Sequence, residues 1–320
     1  MVNFFQVGTL FTAFISAVAA ASYPNPGTVK GATFTHDPTI VKTPTGTYIE
    51  VYTSPKLSIV TSTDRITWTA AGSVFPNGAP QGTYAYTQAG ADANLWAPDL
   101  SIQDGKYLLY YAASSFGSQT SGIFLATSTT GLSGSWVDQG LVLSSSSSDN
   151  YNAIDPQLSV DAATGRWWLT YGSFWSGIQI IEISPSTGKV LSGAQRKNIS
   201  SRPASVGNAE EAPQIWQDGG YYYLFTSWDK CCSGLSSTYS IHVSRATSIT
   251  GPYTDKAGVA ALSGGGTEIL STHDSIVGPG GQSIFKDVDG AILVYHYYTS
   301  TDSQLAINLL KFQGGWPVVA

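Results

Sequence analysis

Charge is scarce in this sequence. Asp, Glu, Lys and Arg make up only 11% of its 320 residues, less than half the roughly 25% of an average soluble domain. Basic residues are the scarcer sign, 15 against 21 acidic, for a net charge of −6. No basic face is on offer, which excludes nucleic acid as a partner. Cysteine is nearly absent. The two that exist are neighbours, Cys231 and Cys232, so neither a disulfide framework nor a zinc site can be built. Two adjacent thiols either stay free or close on each other. Closure is expected in an oxidising compartment, because the chain holds no other partner for either. Long apolar runs are missing beyond the N-terminus, and a bilayer span takes about 20 residues, so no membrane embedding is expected. Also missing is any stretch of a dozen residues with a sustained 3.6-residue apolar period, which excludes a helical domain.

The N-terminus is a separate object. Val2 to Ala21 carry no charge, Leu10-Phe11-Thr12-Ala13-Phe14-Ile15 is apolar, and Ala17-Val18-Ala19 and Ala19-Ala20-Ala21 have the small-x-small form. This predicts a secretory signal peptide over residues 1–19, cut after residue 19 or 21, and a secreted protein. A membrane anchor is the rival, but the apolar run is short for one. Asn198-Ile199-Ser200 is an acceptor triplet for N-glycosylation.

What the chain has in abundance is aromatics and turn formers: nine Trp, eighteen Tyr and 34 Gly. They are organised in repeats. Five segments open at a proline, at positions 38, 98, 156, 213 and 279. Each continues through a short β-rich run, a turn, an aromatic strand such as Tyr107-Leu108-Leu109-Tyr110-Tyr111, and a third strand such as Ile123-Phe124-Leu125-Ala126. The turns are Thr45-Gly46, Asp104-Gly105, Thr164-Gly165, Asp218-Gly219-Gly220 and Asp289-Gly290, all hairpin signals. Radial repetition of about five four-stranded sheets is an all-β five-bladed β-propeller. Residues 22–320 should form one domain, expected to be monomeric.

In a propeller the innermost strands line the central channel, so the openings of the repeats meet around one axis. Three of them carry a carboxylate just before Pro or Ala-Pro: Asp37, Asp155 and Glu211. A fourth has Asp99 after Pro98. A lone Asp-Pro marks a turn; three such openings converge. Glycoside hydrolysis needs such a set, one carboxylic acid to protonate the leaving oxygen and one carboxylate to activate water or attack. A further carboxylate raises the acid's pKa by like-charge repulsion. Trp96, in the opening of the second repeat, and Phe116 and Trp175, after the second strands of repeats two and three, are candidates for sugar contacts. Asn152 and Ser173 are candidates for hydrogen bonds to the sugar or to Asp155.

The motifs Thr35-His36-Asp37-Pro38, Leu95-Trp96-Ala97-Pro98-Asp99, Ala153-Ile154-Asp155-Pro156-Gln157, Tyr171-Gly172-Ser173-Phe174-Trp175-Ser176-Gly177, Glu210-Glu211-Ala212-Pro213, Cys231-Cys232-Ser233-Gly234 and Val277-Gly278-Pro279-Gly280, in this order and at repeat spacing, resemble the arabinan-cutting members of glycoside hydrolase family 43. The resemblance covers the whole chain after the leader. It implies endo cuts in the alpha-1,5-linked L-arabinofuranose backbone of arabinan, with inversion. It implies Asp37 as general base, Glu211 as general acid and Asp155 as the group that orients and tunes the acid. Neighbours alternate faces along a strand, and only Glu211, directly before Ala212-Pro213, matches the family pattern, so Glu210 is set aside. The resemblance also implies a metal ion, usually calcium, in the central channel, with His273 beside it, and no organic cofactor. The chain departs from the pattern at Gly281, where relatives often carry His. The alternatives are an exo-acting arabinosidase or xylosidase, or a sugar-binding propeller without catalysis. A lectin has no need of three converging carboxylates. Exo-acting relatives often add a β-sandwich domain, for which the chain after the fifth repeat leaves no room.

Overall fold

The computed structural model of the protein describes residues 23–87 and 90–320. The expected signal peptide lies outside them. Among the described residues the regular structure is strands and short 3-10 turns, with no α-helix and no helix long and apolar enough to cross a membrane.

The strands form five sheets. The first holds β1 (Lys30–Gly31), β2 (Thr39–Lys42), β3 (Tyr48–Tyr52), β4 (Ser58–Ser62) and β5 (Thr67–Ser73). The second holds β6 (Leu95–Gln103), β7 (Lys106–Ala113), β8 (Ser121–Ser128) and β9 (Val137–Ser145). The third holds β10 (Gln157–Val160), β11 (Trp167–Tyr171), β12 (Ile178–Ile183) and β13 (Lys197–Ser200). The fourth holds β14 (Glu210–Asp218), β15 (Tyr221–Trp228), β16 (Ser240–Ala246) and β17 (Thr267–Leu270). The fifth holds β18 (Val277–Asp287), β19 (Gly290–Tyr298), β20 (Ser303–Gln313) and β21 (Trp316–Val319). Apart from β1, consecutive strands within each sheet pair antiparallel, and the inner strands β2, β6, β10, β14 and β18 touch one another around the axis. The sheets are the five blades of a β-propeller. Asn198 is exposed on β13, the outer strand of the third blade.

The strands read as continuous apolar runs because each blade is covered on both faces by its neighbours. Side chains alternate between the two. On β7, Tyr107, Leu109 and Tyr111 pack with the first blade, while Leu108 and Tyr110 pack with the third. On β19, Leu293 and Tyr295 pack with the fourth blade, Ile292 and Val294 with the first. Each fully buried Leu, Ile or Val of this kind contributes about 1.5–3 kcal/mol of transfer free energy. Five apolar clusters fill the five seams. The hairpins fall at the expected turns. Gln103 pairs with Lys106 across Asp104 and Gly105, both left-handed at φ 49° and 76°, the conformation a two-residue turn requires.

The first blade departs from the four-stranded expectation. β1 adds to its outer edge in parallel with β5. The segment before Asp37 also bonds to the fifth blade: Leu305 N–H donates to Thr33 O at 2.8 Å, Gly27 N–H to Ile307 O at 2.9 Å, and Phe34 bridges Gln304. The ring is thus closed by residues that precede the first repeat.

At the five openings the residue before proline is left-handed every time: Asp37 at φ 47°, Ala97 at 43°, Asp155 at 55°, Ala212 at 50° and Gly278 at 58°. Non-glycine residues rarely adopt this conformation, so each is held from outside. Side chains one residue past proline clamp the next blade. Thr39 Oγ1 accepts Leu100 N–H at 3.0 Å, Asp99 Oδ2 accepts Leu158 N–H at 2.8 Å and Gln157 Oε1 accepts Ile215 N–H at 3.1 Å.

Candidate active site

The openings of the blades surround a central cavity lined by Asp37, Asp99, Asp155, Ala212, Gly281, Gln282 and Ser283, among others. Asp37 and Asp155 occupy the same blade position, immediately before proline. Glu211 stands one residue earlier in its blade, the position of His36 in the first blade and Trp96 in the second.

Glu211 is held by two hydroxyl donors: Ser173 Oγ at 2.7 Å from Oε2 and Tyr239 Oη at 2.7 Å from Oε1. Burial pushes its pKa up, and the charge of Asp37 adds to the rise, while the two hydroxyls pull it down. Asp155 is also raised well above the usual carboxylate range, first by burial and then by the charges of Glu211 and Asp37. Its Oδ2 accepts the amide of Ala212 at 3.0 Å, which ties it to the residue after Glu211. Close carboxylates in one partly desolvated place cannot all ionise freely, so the set retains a proton near neutral pH. Glu210 faces elsewhere. It is buried in the seam, with Ser200 Oγ at 2.6 Å and Trp228 Nε1 at 3.3 Å from Oε1.

Asp37 is anchored differently. Thr53 Oγ1 donates to its Oδ2 at 2.9 Å and itself accepts Ala97 N–H at 2.7 Å. The amide of Asp37 donates to His296 Nδ1 at 3.0 Å. His296 lies on β19, is fully buried, and stacks on His36 with ring centroids 4.0 Å apart. Burial and the neighbouring His36 hold its pKa well below the ordinary value, so it is neutral. His36, Asp37 and His296 bring three metal-capable side chains together, with ligand atoms within 4.8 Å of one another. Two glycines make room. A Cβ on Gly280 would collide with the ring of Tyr239. A Cβ on Gly281 would collide with Asp37 Oδ1 and come 2.7 Å from His296 Cε1.

The remaining candidates divide. Ser173 binds Glu211 rather than Asp155. Asn152 is buried and its Oδ1 accepts Ser121 Oγ at 2.7 Å. Trp96 is partly exposed at the opening of the second blade. Phe116 is 85% exposed on the loop after β7, and Trp175 is 37% exposed on the loop after β11, its carbonyl accepting Asn208 Nδ2. Both loops stand at the end of the ring where the inner strands begin. Cys231 and Cys232 are joined in a disulfide on the corresponding loop of the fourth blade. His273 is not brought to the carboxylates: its Nδ1 contacts Ser271 O at 2.7 Å, its ring meets Tyr23, and it does not line the cavity. It sits on a small bridge with Ile276 in the connection between β17 and β18, where the fourth blade hands over to the fifth. The imidazoles beside Asp37 are those of His36 and His296. Sequence reading passed over His296 and the role of Tyr239. The available signal was a histidine inside the apolar strand Leu293-Val294-Tyr295-His296-Tyr297, where a strand buried on both faces ordinarily carries none.

Residues 28–317 match Glycosyl hydrolases family 43. The chain is 45% identical, over 88% of its own length and 86% of the relative's, to the extracellular endo-alpha-(1->5)-L-arabinanase 1 of Bacillus subtilis. Among solved structures it superposes on the family 43 endo-arabinanase of Bacillus licheniformis with a TM-score of 0.84 at 43% identity, covering 91% of this chain and 99% of that one. An exo-1,5-alpha-L-arabinanase from a bovine ruminal metagenomic library fits as well, TM-score 0.84 at 35% identity over 92% and 99% of the two chains. Five blades, three converging carboxylates and a match that runs through all five repeats lead to one statement: the chain belongs to glycosyl hydrolases family 43.

Proposed function

We propose that this protein is a secreted endo-1,5-alpha-L-arabinanase that cleaves the backbone of arabinan with inversion. The observation that carries the catalytic assignment is the pair of hydroxyls on Glu211 together with its raised pKa: a carboxylic acid held in place and kept protonated is a general acid. Glu211 gives its proton to the glycosidic oxygen as the bond to the anomeric carbon breaks. Asp37, fixed by Thr53 and His296, takes a proton from a water that attacks the opposite face of the sugar. Asp155 holds the backbone beside Glu211, and the mutual repulsion of the two carboxylates opposes ionisation of both. Trp96, Phe116 and Trp175 offer flat faces for the chain of sugars.

Endo action draws its support from the name of the Bacillus subtilis relative; the exo-acting neighbour, which superposes as well at lower identity, makes product analysis the deciding experiment. Early release of mixed oligosaccharides from linear arabinan is the expected result, and arabinose alone overturns it. NMR of the first-formed anomer tests inversion. Secretion rests on the apolar leader and on the extracellular relative.

A calcium ion in the channel belongs to the same reading. The cavity floor fits a hydrated hard cation: Asp99, Gln282 and Ser283 line it, and Ser283 Oγ is buried without a hydrogen-bond partner. From the His36–Asp37–His296 group the ion would take the carboxylate, since both ring nitrogens of His296 are engaged. Bound there, it would supply positive charge that favours the ionised form of the carboxylates around it. Loss of activity on chelation, restored by calcium, is the expected outcome.

A further inference from the structure

The loop that carries Cys231 and Cys232 does more than edge the groove. Cys232 has a left-handed backbone, φ 62°, and its amide donates to Tyr298 Oη at 2.8 Å. The same phenol oxygen lies 3.0 Å from His296 Nε2 and 3.9 Å from Cys232 Sγ. Donors and acceptors along this chain can be assigned one way. His296 Nδ1 takes the amide proton of Asp37, so the ring's own proton sits on Nε2 and points to Tyr298 Oη. That oxygen then accepts two protons, from His296 and from Cys232, and its hydroxyl hydrogen is left for the sulfur. His36, stacked on His296, closes the group with Nε2 at 3.8 Å from the same Sγ. A line of contacts therefore runs from the disulfide of the fourth blade, through two residues of the fifth, to the backbone of Asp37 in the first.

Asp37 needs such a hold. Its left-handed φ is costly for a residue with a side chain, and conformations of this kind persist only where the surroundings impose them. The direction of its carboxylate follows from that backbone. We infer that Tyr298 and the Cys231–Cys232 ring are positioning groups for Asp37, fixing the tautomer and orientation of His296, which in turn fixes the strained amide of Asp37. This rests on Asp37 acting as the base.

The test is a two-by-two comparison on linear arabinan: wild type and Tyr298→Phe, each with the disulfide intact and after reduction by a water-soluble trialkylphosphine. The phosphine takes oxygen from one water to become its oxide, and the S–S bond opens to two thiols that keep the two hydrogens; alkylation and mass confirm both. Loss of the hold should lower kcat by about 10- to 100-fold, with KM changed little because the sugar contacts remain. The two losses should not multiply, since ring and phenol act along one line. Reduced wild type, Tyr298→Phe and reduced Tyr298→Phe should therefore have similar kcat. Unchanged kcat in reduced wild type, or losses that multiply, overturns the inference. If Tyr298→Phe fails to fold, judged by circular dichroism, reduction of the folded wild type still decides. Asp37→Ala is the control for the underlying reading: if it remains active, the assignment of the base fails, and with it the reason for a hold. If it is inactive while reduction has no effect, only the positioning role falls.

Discussion

The openings of the first and third blades begin with the same backbone and serve different chemistry. Asp37 and Asp155 each precede proline, at φ 47° and 55°, and both face the central cavity. Asp37 accepts a threonine hydroxyl on one oxygen, has its second 3.7 Å from His296 Nδ1, and has imidazoles for neighbours. Asp155 spends an oxygen on the amide next to Glu211 and is pressed toward protonation by burial and by two other carboxylates. The repeat delivers a carboxylate to the axis, and the neighbouring blade decides what it does there. The second blade makes the same point by omission: Ala97 stands where the other two have Asp.

Four measurements sharpen this contrast. Asp37→Ala should cost most, about 10²–10⁴-fold in kcat or more, since general base catalysis alone is worth that much, with the fold intact by circular dichroism. Asp155→Asn should also lose rate, because it keeps an acceptor for Ala212 but loses the charge. Repulsion between the two carboxylates is mutual and is one cause of the raised Asp155 pKa, so with asparagine there Glu211 should ionise more easily and the alkaline limb of the kcat/KM profile should move to lower pH. Ser173→Ala should lower the rate less and move the alkaline limb the other way: the hydroxyl stabilises ionised Glu211, and its removal lets the acid hold its proton to higher pH. Asp99→Asn is followed through stability rather than rate. Burial raises the Asp99 pKa to about 7, whereas an unfolded Asp titrates near 3.9. The folded state thus gains stability from the retained proton below about pH 4 and loses it as the pH rises toward 7. Asparagine removes that loss, so the melting temperatures of variant and wild type should diverge in favour of the variant between pH 4.5 and 8, by roughly 2–4 °C for each kcal/mol recovered.

Most of the fold was legible because its signals are local. The prolines at 38, 98, 156, 213 and 279 mark backbone positions that recur in every blade, and the Asp-Gly and Gly-Gly pairs sit where strands must reverse. Asp37, Asp155 and Glu211 were legible because they sit on those markers. The family pattern at Glu211-Ala212-Pro213 separated Glu211 from Glu210, which alternation along the strand turns to the other face. What escaped depends on contacts between distant segments. His296 reaches Asp37 across 259 residues, and Tyr239 reaches Glu211 across 28, from just before the next strand but one in the same blade. His273 was expected at the channel from its motif, yet the chain there turns through a short bridge with Ile276 and presents the ring to Tyr23. The parallel strand at Lys30–Gly31 is two residues long and carries no pattern of its own.

The closure of the ring has a consequence for how the enzyme comes into being. Thr33, Phe34 and Thr35 reach Leu305, Gln304 and Ser303 in the fifth blade, and Asp37 follows two residues later with its amide on His296 of the same blade. Contacts of such sequence separation form slowly, because a long loop must close before they repay it. A chain that has assembled four blades therefore holds Glu211 between Ser173 and Tyr239 but lacks the contact that orients Asp37. Hydrolytic competence arrives only with the final blade, and the onset of activity during refolding marks the moment the circle is complete.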